Sequence, residues 1–479
     1  MSRLWRSRGK AAAVVCAATL AACSGIPPTP PLPADAVVNR PGANGQFVGT
    51  LAPDVTRDPV EGNWWKLYDT PTLDELIKQA LAANTDLRAA AANLQKSEAG
   101  FDVAAAAQEP TTNISAAPSY GRRSAEEELH PGKPFPNKFV YGAGFSVSYQ
   151  VDLFGQIQRS VDAARADVGS ATAARDAVRV TVVAETTRAY LDVCAAGREI
   201  DVARRQIDLQ KESTELTRTL AENGRAATLD TDRSVVLEEQ VRSSLPSLAA
   251  QRRLALFRLA VLTGKTPAEF SPAVASCTVV PRLKQAIPVG DGASLLKRRP
   301  DVRRADFDVQ AASNRIGVVT GDLYPKVSLG ASVASVGLDQ RGFSADTFKF
   351  SLGPLITWEF PDRTRTKARI RAADADRDVA LARFDGVVLN ALKETESALE
   401  VYAQDQERRA ILESARVKAR KVDEDTRRLF AMGRLGSLPV LDADRTLNSI
   451  EQTAAAVDTR LASDQVNLFL ALGGGWEER

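Results

Sequence analysis

Two very long helical stretches without proline constrain this sequence more than any other feature. The first lies between Pro136 and Pro246, and the second includes residues 369–397. A helix from 157 to 220 would measure roughly 95 Å at about 1.5 Å per residue, which is longer than a compact soluble domain needs. Small and apolar residues recur in steps of four and three, the 3.5-residue period of a coiled coil. In the first stretch these residues are Ile157, Val161, Ala164, Val168 and Ala171, and after a break at Arg175 they resume at Val178 and Val182.

The two stretches belong to an internal repeat. Matching residues lie 209 or 210 positions apart around the long helices and 215 positions apart upstream of them. The six-residue difference predicts a longer connection before Phe139 in the first copy. A tandem duplication of one unit is the simplest account. The matched pairs are Glu185 with Glu394, Gly224 with Gly433, Gly264 with Gly474, Asp86 with Asp301, and Pro110 with Pro325.

Residues 1–22 have the pattern of an export signal, with a basic start and an apolar run too short to span a bilayer. The run ends in Leu20-Ala21-Ala22-Cys23, which resembles the lipobox of bacterial lipoproteins. We therefore predict that residues 1–22 are removed and that Cys23 is acylated; an ordinary signal with an incidental cysteine is the alternative. Ser24 follows, and the lack of an aspartate there favours the outer membrane. Residues 23–62, rich in Pro, Ala, Asn and Gly, are predicted to be an extended lipid-anchored segment.

Four stretches show the alternation of β-strands, two in each copy: about 112–120, 138–150, 326–336 and 347–358. Each has about ten residues, the length that a tilted transmembrane strand needs. Four strands cannot close a barrel, because transmembrane barrels of bacteria have at least eight strands. An open edge in lipid would leave backbone groups unpaired. The sequence therefore predicts that several copies of the chain share one barrel.

Three short motifs point to a family: Leu295-Leu296-Lys297-Arg298-Arg299-Pro300-Asp301-Val302, Asp152-Leu153-Phe154-Gly155, and Ala471-Leu472-Gly473-Gly474-Gly475-Trp476. With the repeat and the lipobox, they give a chain that resembles the TolC-like outer-membrane efflux channels, in their lipoprotein (NodT/OprM-type) branch, over about residues 64–476. The resemblance implies a mainly α fold with a transmembrane β part and an internal two-fold repeat. Long antiparallel coiled-coil helices form an α-barrel tunnel, and four strands per chain complete a 12-stranded β-barrel in a homotrimer.

The resemblance also implies a function and a domain plan. The chain is expected to be a passive conduit that exports small molecules, with a periplasmic adaptor and an inner-membrane transporter of the RND type as partners and outer-membrane lipid around its strands. Residues 63–264 are the first repeat and residues 265–479 the second. The second begins with a lateral irregular region, 265–300, that is rich in proline and glycine.

Three residues near the two long-helix turns are candidates for the periplasmic entrance. Asp230 and Asp442 are each predicted in the first turn of a returning helix, and Phe430 precedes the second turn. The resemblance implies that the aspartates constrict the entrance and that Phe430 holds the place of a family aromatic residue. The alternative is that both carboxylates only favour a helix start through the macrodipole, a contribution of about 0.3–1 kcal/mol each. Pro439 departs from the family, which often has an aspartate there.

Two cysteines remain once Cys16 is removed with the signal and Cys23 is acylated. We predict a disulfide between Cys194 and Cys277, because the periplasm is oxidising and both residues lie at a similar level, roughly 45–60 Å from the turn at Gly224. Two free buried thiols are the alternative.

Nothing in the sequence indicates an enzyme, a cofactor or a metal site. His130 is the only histidine, so neither a catalytic triad nor a typical metal site can be assembled around it. The mature chain carries about 2 − 4 = −2 charges, which gives no sign of a nucleic-acid partner. Carboxylates on the amphipathic helices are interpreted as a solvated face. A structural coiled-coil envelope lipoprotein or adhesin is the alternative function; it would not need lipid-facing strands. The exported substrate stays open.

Overall fold

The structure is a computed structural model that describes residues 31–49, 52–60, 62–122, 124–125, 131–338, 344–358 and 363–474. Cys23 and His130 therefore lie outside the described residues. Two short 3₁₀ turns occur at Val37–Asn39 and Trp64–Tyr68. The helices are α1 (Pro41–Asn44), α2 (Pro71–Ala83), α3 (Thr85–Ala106), α4 (Gln156–Glu222), α5 (Thr228–Arg242), α6 (Ser244–Leu262), α7 (Pro272–Ala275), α8 (Gly292–Arg298), α9 (Pro300–Gly321), α10 (Arg363–Ala431) and α11 (Ser437–Ala471). The strands are β1 (Val55–Thr56), β2 (Thr111–Ala116), β3 (Ser119–Gly121), β4 (Lys138–Val151), β5 (Ile287–Pro288), β6 (Lys326–Leu338) and β7 (Phe348–Thr357).

The described chain forms two compact units. The first contains Gln95–Ser170 and Ala305–Arg383, and the second contains Pro33–Leu94, Ala171–Arg304 and Phe384–Arg479. Each unit takes segments from both copies of the repeat. The repeats at 63–264 and 265–479 are thus not separate compact units, because their equivalent elements pack together.

An antiparallel sheet dominates the first unit. Its strands run in the order β2-β4-β6-β7, and β3 also pairs with β4. The predicted strand at about 112–120 is divided into β2 and β3 around Ala117 and Pro118. Pro118 has no N–H to give to the ladder, so a strand interrupted at this position is the expected consequence. The other three strands match their predicted positions closely.

Side chains from α4 and α9 tie the helical parts of the first unit together. Arg315 donates to both carboxylate oxygens of Asp167, at 2.8 and 2.7 Å. Gln156 donates to the carbonyl of Val318 at 2.9 Å. Gly169 lies against the ring of Phe307, where a Cβ would be 2.6 Å from the nearest ring carbon. The absence of a side chain at Gly169 is therefore what allows this close approach.

The two long helices have 67 and 69 residues. The predicted seam on α4 is only partly correct. Ile157, Val161 and Val182 are buried, whereas the other predicted seam residues are half-buried. Ala163, Ala166 and Ala173 are buried instead. The first returning helix is interrupted at Ser243, between α5 and α6. Pro246, three residues later, cannot donate to the carbonyl of Arg242, so the predicted break has this physical cause.

Each of the helices α4, α6, α10 and α11 is followed, two residues after its last residue, by a glycine with positive φ. These glycines are Gly224 (72°), Gly264 (73°), Gly433 (70°) and Gly473 (68°). At Gly264, the amide donates to the carbonyl of Val261 and the next amide donates to Ala260, which is the hydrogen-bond pattern of a Schellman cap. The prediction that matched Gly264 with Gly474 is wrong by one residue. The equivalent glycine is Gly473, since 473 − 264 = 209, the same offset as at the long-helix turns.

The core of the second unit lies where Trp64 stacks on Phe469, with ring centroids 4.5 Å apart. Residues 33–49 and 52–60 pack onto this unit, so the part of the predicted extended segment that the structure describes is not a free tether. Glu396 of α10 accepts the amides of Val48 and Gly49 at 2.9 and 2.8 Å, and β1 pairs in parallel with β5. Within the described ranges, no helix combines the length and the apolar character needed to cross a membrane.

The structure contains the Cys194–Cys277 disulfide, with Cα atoms 4.7 Å apart. Cys194 is buried in the middle of α4, and Cys277 belongs to the lateral irregular region that follows α7. Gly197, one turn along α4, permits this close approach, because a Cβ there would be 2.1 Å from the carbonyl oxygen of Cys277. The disulfide therefore fastens the lateral region directly to the long helix.

Candidate functional site

The candidate site is the end of the second unit at which α4 turns into α5 and α10 turns into α11. Each reversal is a few residues long, and each follows a left-handed glycine that caps the long helix. The helices α5 and α11 pack against each other. Two hairpins of similar length therefore end in this part of the unit, and the predicted entrance residues lie close to their two turns.

The structure places the two predicted aspartates differently. Asp230 is the third residue of α5 and pairs with Arg233 on the same helix, with Nη1 and Oδ1 3.5 Å apart. Asp442 is exposed and is the sixth residue of α11, so it lies in the second turn and not in the predicted first turn. The macrodipole acts mainly within one turn. Helix-start stabilisation therefore accounts for Asp230 better than for Asp442.

Phe430 is half-buried near the end of α10. Pro439 is the third residue of α11. Amides in the first turn of a helix have no partner within that helix, so proline costs little there. The residue that replaces the family aspartate is thus compatible with an undistorted start of α11.

The structure also shows a charged cluster that the sequence analysis missed. Asp423 and Arg427 of α10 lie one turn apart, and Asp444 of α11 completes the cluster. The Arg427 Nε atom is 3.1 Å from each carboxylate oxygen of Asp423, and its Nη2 atom donates to Asp444. Asp444 is only 2% exposed. The interpretation of helix carboxylates as a solvated face is therefore wrong here.

A second cluster of the same kind lies farther along the two helices. Arg460 and Asp405 are 2.6 Å apart, and the carboxyl of Asp464 lies beside Asp405. Both aspartates are buried. Burial, and then the neighbouring carboxyl of Asp405, raise the pKa of Asp464 to about 6. In the first cluster, the i, i+4 spacing of Asp423 and Arg427 was visible in the sequence. Spacing alone, however, does not show which face of a helix is buried.

In the first copy, α4 and α5 are joined by a network of uncharged hydrogen-bonding residues at the position equivalent to the Asp423 cluster. Thr214, which lies 423 − 214 = 209 positions before Asp423, has its hydroxyl 2.9 Å from that of Ser234 on α5. Gln210 also donates to Ser234, at 3.2 Å. All three residues are buried. The two hairpins therefore differ in charge at their buried contacts, although they share backbone geometry.

A family model described as outer membrane efflux protein matches residues 76–265 and 293–474 of this chain. The chain belongs to the outer membrane efflux protein family. This match confirms the predicted family, and the structure confirms the predicted fold class, mainly α with a strand part.

Individual relatives of this efflux protein give the same result. It is 25% identical to nodulation protein T of Rhizobium leguminosarum bv. viciae over 426 residues, which cover 86% of this chain and 84% of that protein. It is 29% identical to the pyoverdine export outer membrane protein OpmQ of Pseudomonas aeruginosa over 433 residues, 86% of this chain and 87% of that one. The solved outer-membrane channel OprN matches with a TM-score of 0.86 and 31% identity, covering 94% of this chain and 99% of its own.

For the residues that the structure describes, no group of three or more metal-ligating side chains comes together. The features that this chain offers at the candidate site are charged and polar side chains on four packed helices, which suit selection and closure of an aqueous path rather than a chemical reaction.

Proposed function

We propose that this protein is the outer-membrane channel of a tripartite efflux system. The observation that carries the proposal is the sheet of the first unit. Its outer strands β2 and β7 each have a neighbour on one side only among the described residues. Large apolar side chains on these strands are exposed, among them Ile114 (82%) and Leu352 (83%). An exposed apolar edge strand is a site for pairing with another chain.

Pairing of β2 in one copy with β7 in the next removes both free edges. Three copies then contribute twelve strands to one barrel, because β2 and β3 together occupy the position of a single strand. The exposed apolar residues face lipid in such a barrel, and the long helices continue it into the periplasm. A periplasmic adaptor and an inner-membrane transporter of the RND type supply the cargo and the energy.

The names of the relatives give different cargoes, pyoverdine in one case and toluene in another. The decisive measurement is the mass of the detergent-extracted, full-length protein by native mass spectrometry. We expect three chains, and ion conduction after reconstitution into planar bilayers. A monodisperse monomer would show that the shared barrel is wrong.

We expect that Cys23 carries the lipid anchor and that residues 1–22 are absent from the mature protein. Acylation would tether residues 33–49, which pack onto the second unit, to the membrane. Mass spectrometry of the mature N-terminus measures this directly. A Cys23→Ser variant is the control and should lose the added lipid mass. An unmodified end, or retention of Met1, would contradict the prediction.

We infer that Asp442 helps to form the constriction of the channel at the periplasmic entrance. It is exposed and lies beyond the first turn of α11, and threefold symmetry makes it a ring of three carboxylates. Asp442→Ala should raise the single-channel conductance and lower the preference for cations, while the trimer persists. Wild-type conductance and ion preference would leave a helix-start role as the explanation.

Asp230→Ala is the companion variant. If Asp230 also closes the entrance, this variant should admit bulky antibiotics from outside in a susceptibility assay. If its ion pair with Arg233 only stabilises the start of α5, cells with Asp230→Ala should keep wild-type resistance. Phe430 is proposed to pack near this ring from the end of α10.

A further inference from the structure

The cluster of Asp423, Arg427 and Asp444 contains two carboxyl groups and a single guanidinium. Both aspartates are more than nine-tenths buried, and the Arg427 side chain is about one-third exposed at 32%. When both carboxyls are ionised, the cluster has a net charge of −1 in a place with little water. A buried charge without a partner costs free energy unless it is neutralised.

One carboxylate oxygen of the cluster, Oδ2 of Asp444, can carry a proton. Arg427 donates to Oδ1 of Asp444, whereas Oδ2 is buried and accepts no N–H or O–H among the described residues. The group beside it is the Asp423 carboxyl, which is itself an acceptor when ionised. Two facing acceptors make a hydrogen bond only if one of them is protonated. Burial, followed by the hydrogen bond and charge of Asp423, raises the pKa of Asp444 to about 7, although Arg427 acts in the opposite direction.

Arg427 stays charged throughout. Burial alone lowers the pKa of its guanidinium, but the charges of Asp444 and Asp423 outweigh this effect and raise the pKa. The cluster is therefore neutral when Asp444 holds a proton and negative when that proton is released to the solvent.

The remaining charged groups that line the same cleft of about 650 Å³ come from α4, α10 and α11. Among them, Arg198 pairs with Asp458 at 3.1 Å, and Arg416 pairs with Glu413 at 2.8 Å. Glu451 is already paired with Arg420 at 2.7 Å and accepts from Gln206 at 3.2 Å. The side chains of Arg205, Glu212 and Glu424 are exposed and are therefore solvated and screened. None of these groups replaces Arg427 as the cation between the two buried carboxyls.

We propose that Arg427 is a positioning residue of the channel mouth, and that Asp423, Arg427 and Asp444 form a proton-dependent clamp between α10 and α11. The clamp rests on the proposed function as an efflux channel. It sets the position of the start of α11 and hence of Asp442, two residues before Asp444. The clamp is closed when one proton is bound and loosened when the proton leaves. The first-copy hairpin, held by Gln210, Thr214 and Ser234, has no titratable group in its network.

The direction of the pH effect follows from the raised pKa. In the unfolded chain Asp444 releases its proton near pH 4, whereas in the clamp it keeps the proton until about pH 7. The contribution of the clamp to stability is therefore complete in acid, falls as the pH rises from about 4 towards 7, and stays low above that range. Between about pH 6 and pH 8 the ratio of ionised to protonated Asp444 rises about 100-fold.

Hydrogen–deuterium exchange of the full-length trimer tests the clamp without depending on conduction. We expect exchange in residues 428–442 to become faster, relative to residues 216–230 of the first hairpin in the same sample, when the pH rises from about 6 to 8. This internal ratio removes the intrinsic pH dependence of amide exchange. Asp444→Asn keeps the volume and can donate to Asp423, so its ratio should stay low at both pH values. A pH-independent ratio in the wild type would refute the clamp.

Two further variants separate the clamp from general stability and from the entrance itself. Asp464→Asn alters the second cluster, about 30 Å along α11, and should leave the pH response of residues 428–442 unchanged. Arg427→Met should give fast exchange at both pH values, and Arg427→Lys should restore part of the protection. Asp442→Ala should change conductance at every pH but keep the pH response. If Asp444→Asn titrates like the wild type, the clamp is wrong even when the trimeric channel is correct.

Discussion

Removal of the Cys194–Cys277 disulfide should be among the most destabilising changes that can be made to this protein. The bridge joins residues 83 positions apart. In the chain-entropy model, a cross-link over a loop of that length raises the free energy of the unfolded chain by about 4–5 kcal/mol. Removal of a native disulfide typically lowers the free energy of unfolding by about 2–5 kcal/mol. We therefore expect the double variant Cys194→Ala/Cys277→Ala to melt at a clearly lower temperature in detergent than the wild type.

Reductant provides the matched control for this prediction. It should lower the melting temperature of the wild type towards that of the double variant, and it should not affect the double variant. Thiol labelling of unreduced, denatured wild-type protein should find no reactive thiol at either cysteine. Two reactive thiols per chain, or a wild-type melting temperature that does not change when reductant is added, would contradict the prediction.

Gly197→Ala offers an independent test of the same contact. A Cβ at this position would lie 2.1 Å from the backbone oxygen of Cys277, so the lateral region must move away from α4 even though both cysteines remain. We expect slower formation of the disulfide in this variant. Slower formation would show that the disulfide depends on the close approach that glycine permits, as well as on the two thiols.

The features that were predictable from the sequence are those that depend on periodicity and on backbone rules. The long helices, the break near Pro246 and three of the four strands follow from hydrophobic spacing and from the missing N–H of proline. The repeat offset was correct at Gly224 and Gly433. It was wrong at the C-terminus because Gly473 and Gly474 are both compatible with a helix end in sequence, and only the backbone shows which one adopts positive φ.

Burial of charge was not predictable in the same way. Asp423 and Asp444 have the same sequence surroundings as the exposed carboxylates of these helices, so only the packing of α10 against α11 distinguishes them. The packing of residues 33–49 onto the second unit was missed for a related reason. Its hydrogen bonds to Glu396 use backbone amides, which leave no pattern in the side chains.

The two copies of the repeat solve one structural problem with different residues. In each copy, the C-terminal carbonyl of the returning helix lies against the residue that precedes another helix. In the first copy, Asn84 donates to the carbonyl of Leu262 at 3.2 Å, and its Oδ1 atom caps α3 by accepting the amides of Asp86 and Leu87. In the second copy, Arg299 donates to the carbonyl of Ala471 at 2.7 Å. Both pairs satisfy a helix-end carbonyl that otherwise has no partner within its helix.

Arg299 does more than Asn84, because it also binds two carboxylates. Its Nη2 atom donates to Asp301 at 2.6 Å and to Glu394 at 2.8 Å. Burial alone lowers the pKa of the guanidinium, but its bonds to Asp301 and Glu394 raise it, so the side chain stays charged. The two carboxylates are about half exposed. Loss of Arg299 therefore costs mainly its hydrogen bonds and its buried volume, and not the burial of two uncompensated charges.

We expect Arg299→Ala to destabilise the protein by about 3 kcal/mol, since it removes charge-assisted hydrogen bonds and leaves a cavity beside Gly473. Asn84→Ala should cost less, about 1–2 kcal/mol, because it removes one carbonyl contact and one helix cap. Arg299→Asn is the sharpest variant. It gives the second copy the residue of the first, so it can cap α9 and reach towards the carbonyl of Ala471, but it cannot bind Glu394. Its melting temperature should lie between those of Arg299→Ala and the wild type. If Arg299→Asn melts no higher than Arg299→Ala, the helix-end contact contributes nothing, and the carboxylate bonds alone explain the role of Arg299.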